Sequence, residues 1–143
     1  GKCRIIDADG NEIWKWVTRY KNFRLIRHTY HNLIAENYIS QPAVFFKKEL
    51  FIQAGKLDLS LHYAMDYDLW LRLERLSRGI FINRYLSSFR RHGESKSETD
   101  FISQFREQFE VAKRYDPSWF QRTRHQFNIN KIIVAYKAMK LFS

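Results

Sequence analysis

Two aspartates, Asp66 and Asp68, stand one residue apart at the start of an apolar run in the middle of the chain. A carboxylate within hydrogen-bond reach of a hydroxyl can accept its proton as the hydroxyl attacks an electrophile, a contribution of about 10² to 10⁴ in rate. The position also has a structural explanation, because carboxylates are favoured at helix N-termini, where backbone N–H groups lack partners. Asp68 can also pair with Arg72 one helical turn later. From the residues alone, helix capping is the favoured role of both aspartates.

The sequence after Asp66 predicts the helix that would position these carboxylates. Its apolar residues follow the i, i+1, i+4, i+7 spacing of an amphipathic helix. They are Leu69, Trp70, Leu73 and Leu76. Gly79 is predicted to end this helix, since glycine accepts the left-handed dihedrals common at helix ends.

Strand-like and helical segments alternate on either side of this helix. Pro42 opens an apolar run that extends to Phe46 and predicts a buried strand. Residues 47–54 predict a short helix ended by Gly55. Residues 80–90 are strand-like, and a polar loop follows at 91–97. This alternation indicates the α/β class.

The N-terminal segment, residues 4–17, carries Asp9-Gly10 between two strand-like runs. Both residues tolerate positive φ, so the pair is a strong signal for a tight turn and predicts an N-terminal β-hairpin. Asp7 and Asp9 also mimic the Asp-x-Asp pair by which many enzymes hold a divalent ion. Short motifs often match by chance and this one lies on a turn, so the turn interpretation is favoured.

The C-terminal residues predict two helices separated by a break at Pro117. The first helix carries Phe101, Phe105, Phe109 and Ala112 on one face. The second carries Ile129, Ile132, Ile133 and Tyr136, with Lys131, Lys137 and Lys140 around them. A basic amphipathic helix of this kind could lie on a membrane surface. Packing on the domain or on a partner is the favoured interpretation.

The amino-acid composition limits the class of protein to which this chain can belong. The chain has 143 residues, 45% of them hydrophobic and 17% aromatic, which predicts a single folded domain over 1–143. Cys3 is the one cysteine, so an internal disulfide is excluded.

His28 and His31 lie one turn apart but lack a third ligand at a matching spacing, which favours packing over metal binding. Without a long apolar stretch or a signal pattern, the chain is expected to be soluble and cytoplasmic.

Two stretches carry a resemblance to a known family. They are ISQPAVFFKKELFIQAGKLDLSLHYAMDYDLWLRL, residues 39–73, and FRRHGESKS, residues 89–97. Together they resemble the second half of the catalytic domain of family 2 glycosyltransferases, an inverting group with the A-type nucleotide-sugar transferase fold. The resemblance implies a partial A-type fold, the acceptor-side half, with a core over 5–97 and a helical tail over 98–143.

The resemblance also implies roles for individual residues. Asp66 matches the Asp of a Glu-Asp pair that supplies the catalytic base, while Met65 replaces the Glu and leaves the acceptor open. His92 matches a histidine that helps to hold a divalent metal, Mn²⁺ or Mg²⁺, near the diphosphate. The basic loop around it has a composition suited to phosphate oxygens. The residues of this loop assigned to the nucleotide-sugar diphosphate are Arg90, Arg91, Ser95, Lys96 and Ser97.

The expected partners follow from the same family. They are a nucleotide-sugar donor, a carbohydrate or lipid-linked acceptor, and a missing N-terminal half that binds the nucleotide and supplies most metal ligands. We therefore expect no transfer by this fragment alone. The enzyme is expected in the cytoplasm, with peripheral contact at the cytoplasmic membrane face.

Two other functions compete with the transferase. The net charge of +10 and the many aromatic residues suit a nucleic-acid-binding module, although no recognised binding motif occurs and most aromatics take core positions. The basic C-terminal helix suits a non-catalytic membrane-surface adaptor. Salt-dependent binding to single-stranded RNA would favour the first, whereas vesicle binding alone would not exclude the enzyme.

Overall fold

The computed structural model describes residues 1–91 and 100–141 and has mixed helical and stranded structure, in agreement with the predicted α/β class. The elements in chain order are β1 (Lys2–Ile6), α1 (Lys15–Ile26), α2 (Tyr30–Ala35), a 3-10 helix (Gln41–Ala43), α3 (Lys48–Gln53), α4 (Met65–Leu76), β2 (Tyr85–Arg90), α5 (Phe101–Tyr115) and α6 (Trp119–Leu141).

β1 and β2 form a two-stranded parallel sheet. Cys3 pairs with Ser87 and Ile6 with Arg90, so the carboxyl ends of both strands lie at the same edge. Most of β2 is exposed on both faces of the sheet. The polar loop predicted after β2 therefore starts at the edge where β1 also ends.

The prediction of an N-terminal hairpin is correct for the turn and wrong for the second strand. The turn forms, because the Asp7 amide donates to the Asn11 carbonyl at 3.0 Å and Gly10 has a φ of 93°. The return strand shrinks to a single bridge between Ile6 and Glu12, and α1 then begins at Lys15. The extended partner of β1 is β2, and such long-range pairing overrides a local hairpin signal.

The buried strand predicted at residues 42–46 is also wrong. Pro42 lies in the 3-10 helix Gln41–Ala43, where its fixed φ suits the first turn of a helix. Phe45 is 76% exposed, and Phe46 is exposed as well. Of the strand-like residues 80–90, only Tyr85–Arg90 form a strand.

Several helix predictions are confirmed. α3 ends just before Gly55, whose φ of 85° is the left-handed conformation expected there. α4 starts at Met65 as expected, but it ends at Leu76 with Ser77 as its C-cap, so the prediction that Gly79 ends this helix is wrong: Gly79 lies beyond the cap and does not have a positive φ. α5 ends before Pro117, while α6 begins at Trp119, well before Ile129. α1 and α2 were not predicted, because their residues show no clear apolar period.

The core lies between α2, α4 and α5. Leu33 from α2, Leu71 from α4 and Val111 from α5 are completely buried. The predicted helical tail thus supplies part of the same core as the residues before it. Among the helices of the described residues, none is long and apolar enough to cross a membrane.

Candidate active site around Asp66

Asp68 has a structural role in α4. It is 3% exposed, and its Oδ2 accepts from the Arg72 Nε at 2.8 Å, which confirms the predicted pair. Its Oδ1 accepts from the Tyr115 hydroxyl at 2.5 Å. Arg72 also donates to the carbonyls of Ala54 and Lys56. Asp68 therefore connects α4 to α5, and through Arg72 to the end of α3, with both of its oxygens occupied.

Asp66 has a different environment, although it lies only two residues away. It is half-buried, and its Oδ1 accepts from the Tyr67 amide at 2.7 Å. Its Oδ2 accepts no hydrogen bond from the described part of the chain. Burial raises the pKa of Asp66, against the opposing effects of the Tyr67 amide, the Lys21 charge and the backbone amide of Asp66 itself. Asp66 is thus a carboxylate with one uncommitted oxygen at the start of a helix.

The N-terminus of α4 is capped from another helix. The Glu107 carboxylate on α5 accepts from the amides of His62, Tyr63 and Ala64 at 2.9, 2.5 and 2.6 Å. Ala64, the residue that precedes α4, has no side chain that could cap it. Of the capping predicted for both aspartates, one bond is present, from the Tyr67 amide to Asp66.

Lys21 on α1 is the residue whose charge acts on the pKa of Asp66, and it was not predicted from the sequence. Its Nζ donates to the Ser40 hydroxyl at 3.2 Å. Burial lowers the pKa of Lys21, while the electrostatic influence of Cys3, Asp66 and Glu36 raises it. The charges of Lys21 and Asp66 therefore influence each other, although the two residues are far apart in the chain. No local signal marks Lys21, because its neighbours come from distant parts of the chain.

Glu36, at the end of α2, is a second buried charge that the sequence did not reveal. Its Oε2 accepts from the Tyr20 hydroxyl at 2.8 Å and pairs with the Arg24 Nε at 3.2 Å. The Tyr20 hydroxyl in turn accepts from the Lys131 Nζ at 2.9 Å. This chain of contacts joins α1, α2 and α6. It gives the buried charge of Glu36 its partners, so a structural role is sufficient to explain this residue.

The two described arginines of the predicted phosphate loop contact the N-terminal turn. The Arg90 Nη1 donates to the Asp7 carbonyl at 3.0 Å and also to the Ala8 carbonyl. The Arg91 guanidinium lies over the Trp14 ring, 3.4 Å from its centroid. Both residues stand at the carboxyl edge of the sheet, where parallel α/β proteins bind ligands. His92, Ser95, Lys96 and Ser97 lie outside the described residues.

The Asp7-Ala8-Asp9 segment forms a turn, as favoured from sequence. The Asp7 Oδ1 accepts from the Asn11 amide at 2.8 Å and its Oδ2 accepts from the Asn11 side chain at 3.3 Å. Over residues 1–91 and 100–141, no group of three or more His, Cys, Asp or Glu side chains is arranged to hold a metal ion.

His28 has the packing role that its sequence favoured. Its Nδ1 lies 2.7 Å from the Tyr38 hydroxyl and its Nε2 lies 2.8 Å from the Glu74 Oε1. His31 lies instead beside Gln121 of α6, at 3.4 Å. The two histidines thus contact different helices.

Comparison with known proteins gives little functional information. No family model matches the chain, and no solved structure matches it. The chain is similar to "Uncharacterized protein MT1568" from Mycobacterium tuberculosis (strain CDC 1551 / Oshkosh), with 34% identity over 93 residues. That similarity covers 54% of this chain and 29% of the relative, so the chain spans less than a third of the length of the curated relative it matches.

Proposed function

We propose that this chain is the acceptor-side part of an inverting glycosyltransferase similar to family 2, with Asp66 as the general base. The observation that carries the proposal is the contrast between Asp66 and Asp68. Protein donors occupy both oxygens of Asp68, whereas Asp66 keeps Oδ2 uncommitted. Asp66 is also the residue that the family resemblance assigns as the base.

The chemistry assigned to Asp66 is proton removal. An acceptor hydroxyl attacks the anomeric carbon of the donor, the new C–O bond forms, and the bond to the nucleoside diphosphate breaks. The hydroxyl proton passes to Oδ2 of Asp66. Burial raises the pKa of this carboxyl, which makes it a better proton acceptor than a fully solvated aspartate.

The divalent metal expected from the resemblance does not fit the described part of the chain, which lacks a ligand set for it. The role proposed for this chain is therefore limited to binding the acceptor and removing its proton. Two residues of the predicted diphosphate loop are described, Arg90 and Arg91. They lie at the carboxyl edge of the sheet.

The sheet supports the proposal that another segment completes the fold. Parallel sheets occur almost always with both faces covered, and two strands are too few to be stable alone. β2 nevertheless exposes Tyr85, Leu86 and Phe89. We infer that β1 and β2 extend a larger parallel sheet, supplied by a nucleotide-binding half of the A-type fold. The enzyme would act in the cytoplasm on a nucleotide-sugar donor and a carbohydrate or lipid-linked acceptor.

The test is Asp66→Asn in a polypeptide that joins this sequence to its nucleotide-binding half. We expect kcat to fall about 10² to 10⁴-fold, because the base is lost, with donor KM nearly unchanged. Glu110→Gln is the matched control, since Glu110 is exposed and pairs with Lys113 on the same helix. Wild-type turnover by Asp66→Asn would refute the role of Asp66.

A further inference from the structure

α6 packs on the rest of the protein through a largely polar face. Gln121, His125 and Ile129 follow i, i+4, i+8 spacing and are buried. The His125 Nδ1 donates to the Ile34 carbonyl at 2.7 Å, and the Asn128 side chain donates to the Ala35 carbonyl at 3.0 Å. Ile129, the first residue of the apolar stripe predicted for this helix, is therefore buried on the inward face.

The outward face of α6 is apolar instead. Trp119 is 78% exposed and Phe127 is 69% exposed, and Phe120 and Val134 are exposed beside them. Trp119, Phe127 and Val134 are spaced so that they lie along one side of the helix. Trp119 and Phe127, with Phe109 of α5, line an open groove of about 480 Å³. We call Trp119, Phe120, Phe127 and Val134 the outward stripe.

The charge of α6 is entirely positive. Its basic residues are Arg122, Arg124, Lys131, Lys137 and Lys140, and the sequence contains no Asp or Glu over 119–141. Arg122 and Lys131 are exposed, and their helical positions place them on opposite sides of the outward stripe. The Lys131 Nζ lies over the Tyr20 ring, 4.8 Å from its centroid, and donates to the Tyr20 hydroxyl, so this charge is held against α1. Among the described residues of α6, Arg122 is the exposed charge without such a contact.

We propose that the outward stripe of α6 docks on an anionic lipid bilayer. Trp119, Phe120 and Phe127 would enter the boundary between headgroups and acyl chains, where aromatic side chains are favoured. Arg122 would meet lipid phosphates beside the stripe. A helix with five basic and no acidic residues complements an anionic surface, whereas two such helices from two copies of the chain would repel each other. This inference does not depend on the proposed transferase activity.

The experiment is flotation of the whole chain with vesicles of phosphatidylcholine, with and without phosphatidylglycerol. We expect binding to the vesicles that contain phosphatidylglycerol. The double variant Trp119→Ser/Phe127→Ser should lower the partition coefficient about tenfold or more, because two large aromatic side chains no longer leave water. Leu59→Ser/Ile80→Ser is the matched control: both of its residues are more exposed than Trp119, both lie outside α6, and binding should persist.

A second pair of variants tests the electrostatic part. Arg122→Gln should weaken the preference for phosphatidylglycerol, whereas Arg78→Gln, with the same change in net charge, should keep it. Far-ultraviolet circular dichroism confirms folding of each variant. Failure of the wild-type chain to float, or equal binding by the two serine double variants, would overturn the proposal. Self-association that depends on Trp119 and Phe127 without vesicle binding would assign the stripe to a contact between copies.

Discussion

The carboxylate of Glu107 on α5 accepts a hydrogen bond from the backbone amide of Ala64, immediately before α4, at 2.6 Å. The same carboxylate accepts from the amides of His62 and Tyr63. Among the amides left free at the start of α4, Glu107 binds that of Ala64, the N-cap residue, and its two other bonds hold the chain just before the helix. Within the first turn of α4, Asp66 accepts from the Tyr67 amide.

Glu107→Gln is expected to destabilise the protein. The glutamine side chain is neutral and has one acceptor oxygen, where the carboxylate has two, for three backbone N–H groups. The free energy of unfolding should therefore fall by about 1 to 2 kcal/mol. Urea denaturation at pH 7 measures this change. Glu110→Gln removes an exposed carboxylate from the same helix and should leave the free energy of unfolding nearly unchanged. Equal values for the two variants would show that the cap is energetically unimportant.

The contribution of Glu107 should also depend on pH. Burial works against its charged form, but the amides of residues 62–64 outweigh burial and lower the pKa of Glu107 below 4.5. A carboxyl with a lowered folded-state pKa stabilises the fold above its unfolded pKa, and this stability is lost as the pH falls through the folded value. The difference between wild type and Glu107→Gln should therefore shrink as the pH is lowered from 7 through 4.5 and below.

Asp68→Asn is expected to be more damaging than any change at Asp66. It leaves the guanidinium of Arg72 without its charged partner and weakens the contact with Tyr115. Removing one partner of a buried ion pair costs about 3 to 5 kcal/mol. Tyr115→Phe should cost about 1 kcal/mol, since it removes one hydrogen bond and leaves the ion pair intact. Denaturation midpoints for both variants check this order, and a larger loss for Tyr115→Phe would contradict it.

Asp66→Asn is expected to keep or raise stability at neutral pH. Burial raises the pKa of Asp66 above 3.8, so its stabilising effect is complete below that pH and is lost as the pH rises through the folded-state pKa. At pH 7 the ionised carboxylate therefore costs free energy, which Asn removes, while the lost attraction to Lys21 offsets part of the gain. Denaturation at pH 7 and pH 3 measures the change. A large destabilisation at pH 7 would indicate a structural role for Asp66.

The parts of the fold that sequence predicted correctly depend on neighbours close in the chain. The apolar spacing of α4, the glycine after α3 and the pair between Asp68 and Arg72 all involve residues within about two helical turns. The same holds for the turn at Gly10. Local propensity and side-chain spacing are sufficient to predict features of this kind.

The predictions that failed depended on distant partners. The run after Gly10 forms a single bridge to Ile6 and then enters α1, while β1 pairs along its length with the distant β2. In the apolar run after Pro42, Ala43 is buried in a 3-10 helix, whereas Phe45 and Phe46 are exposed. At the candidate site, Asp66 could be chosen from sequence, but Lys21 and Glu107 could not. Both come close to the start of α4 only through the packing of α1 and α5, for which the sequence has no local signal.

His125 on α6 should make stability depend on pH near neutrality. It is 2% exposed, and burial lowers its pKa below 6.5, although its bond to the Ile34 carbonyl opposes this. The unfolded state then binds more protons than the folded state, so stability should fall as the pH drops below 6.5. His125→Phe should flatten this dependence and retain the fold, because the Tyr67 hydroxyl still donates to the Ile34 carbonyl at 2.8 Å. Thermal denaturation between pH 5 and pH 7.5 measures this dependence. His62→Gln, at an exposed histidine, is the control. If the pH dependence of stability is unchanged in His125→Phe, His125 is not its source.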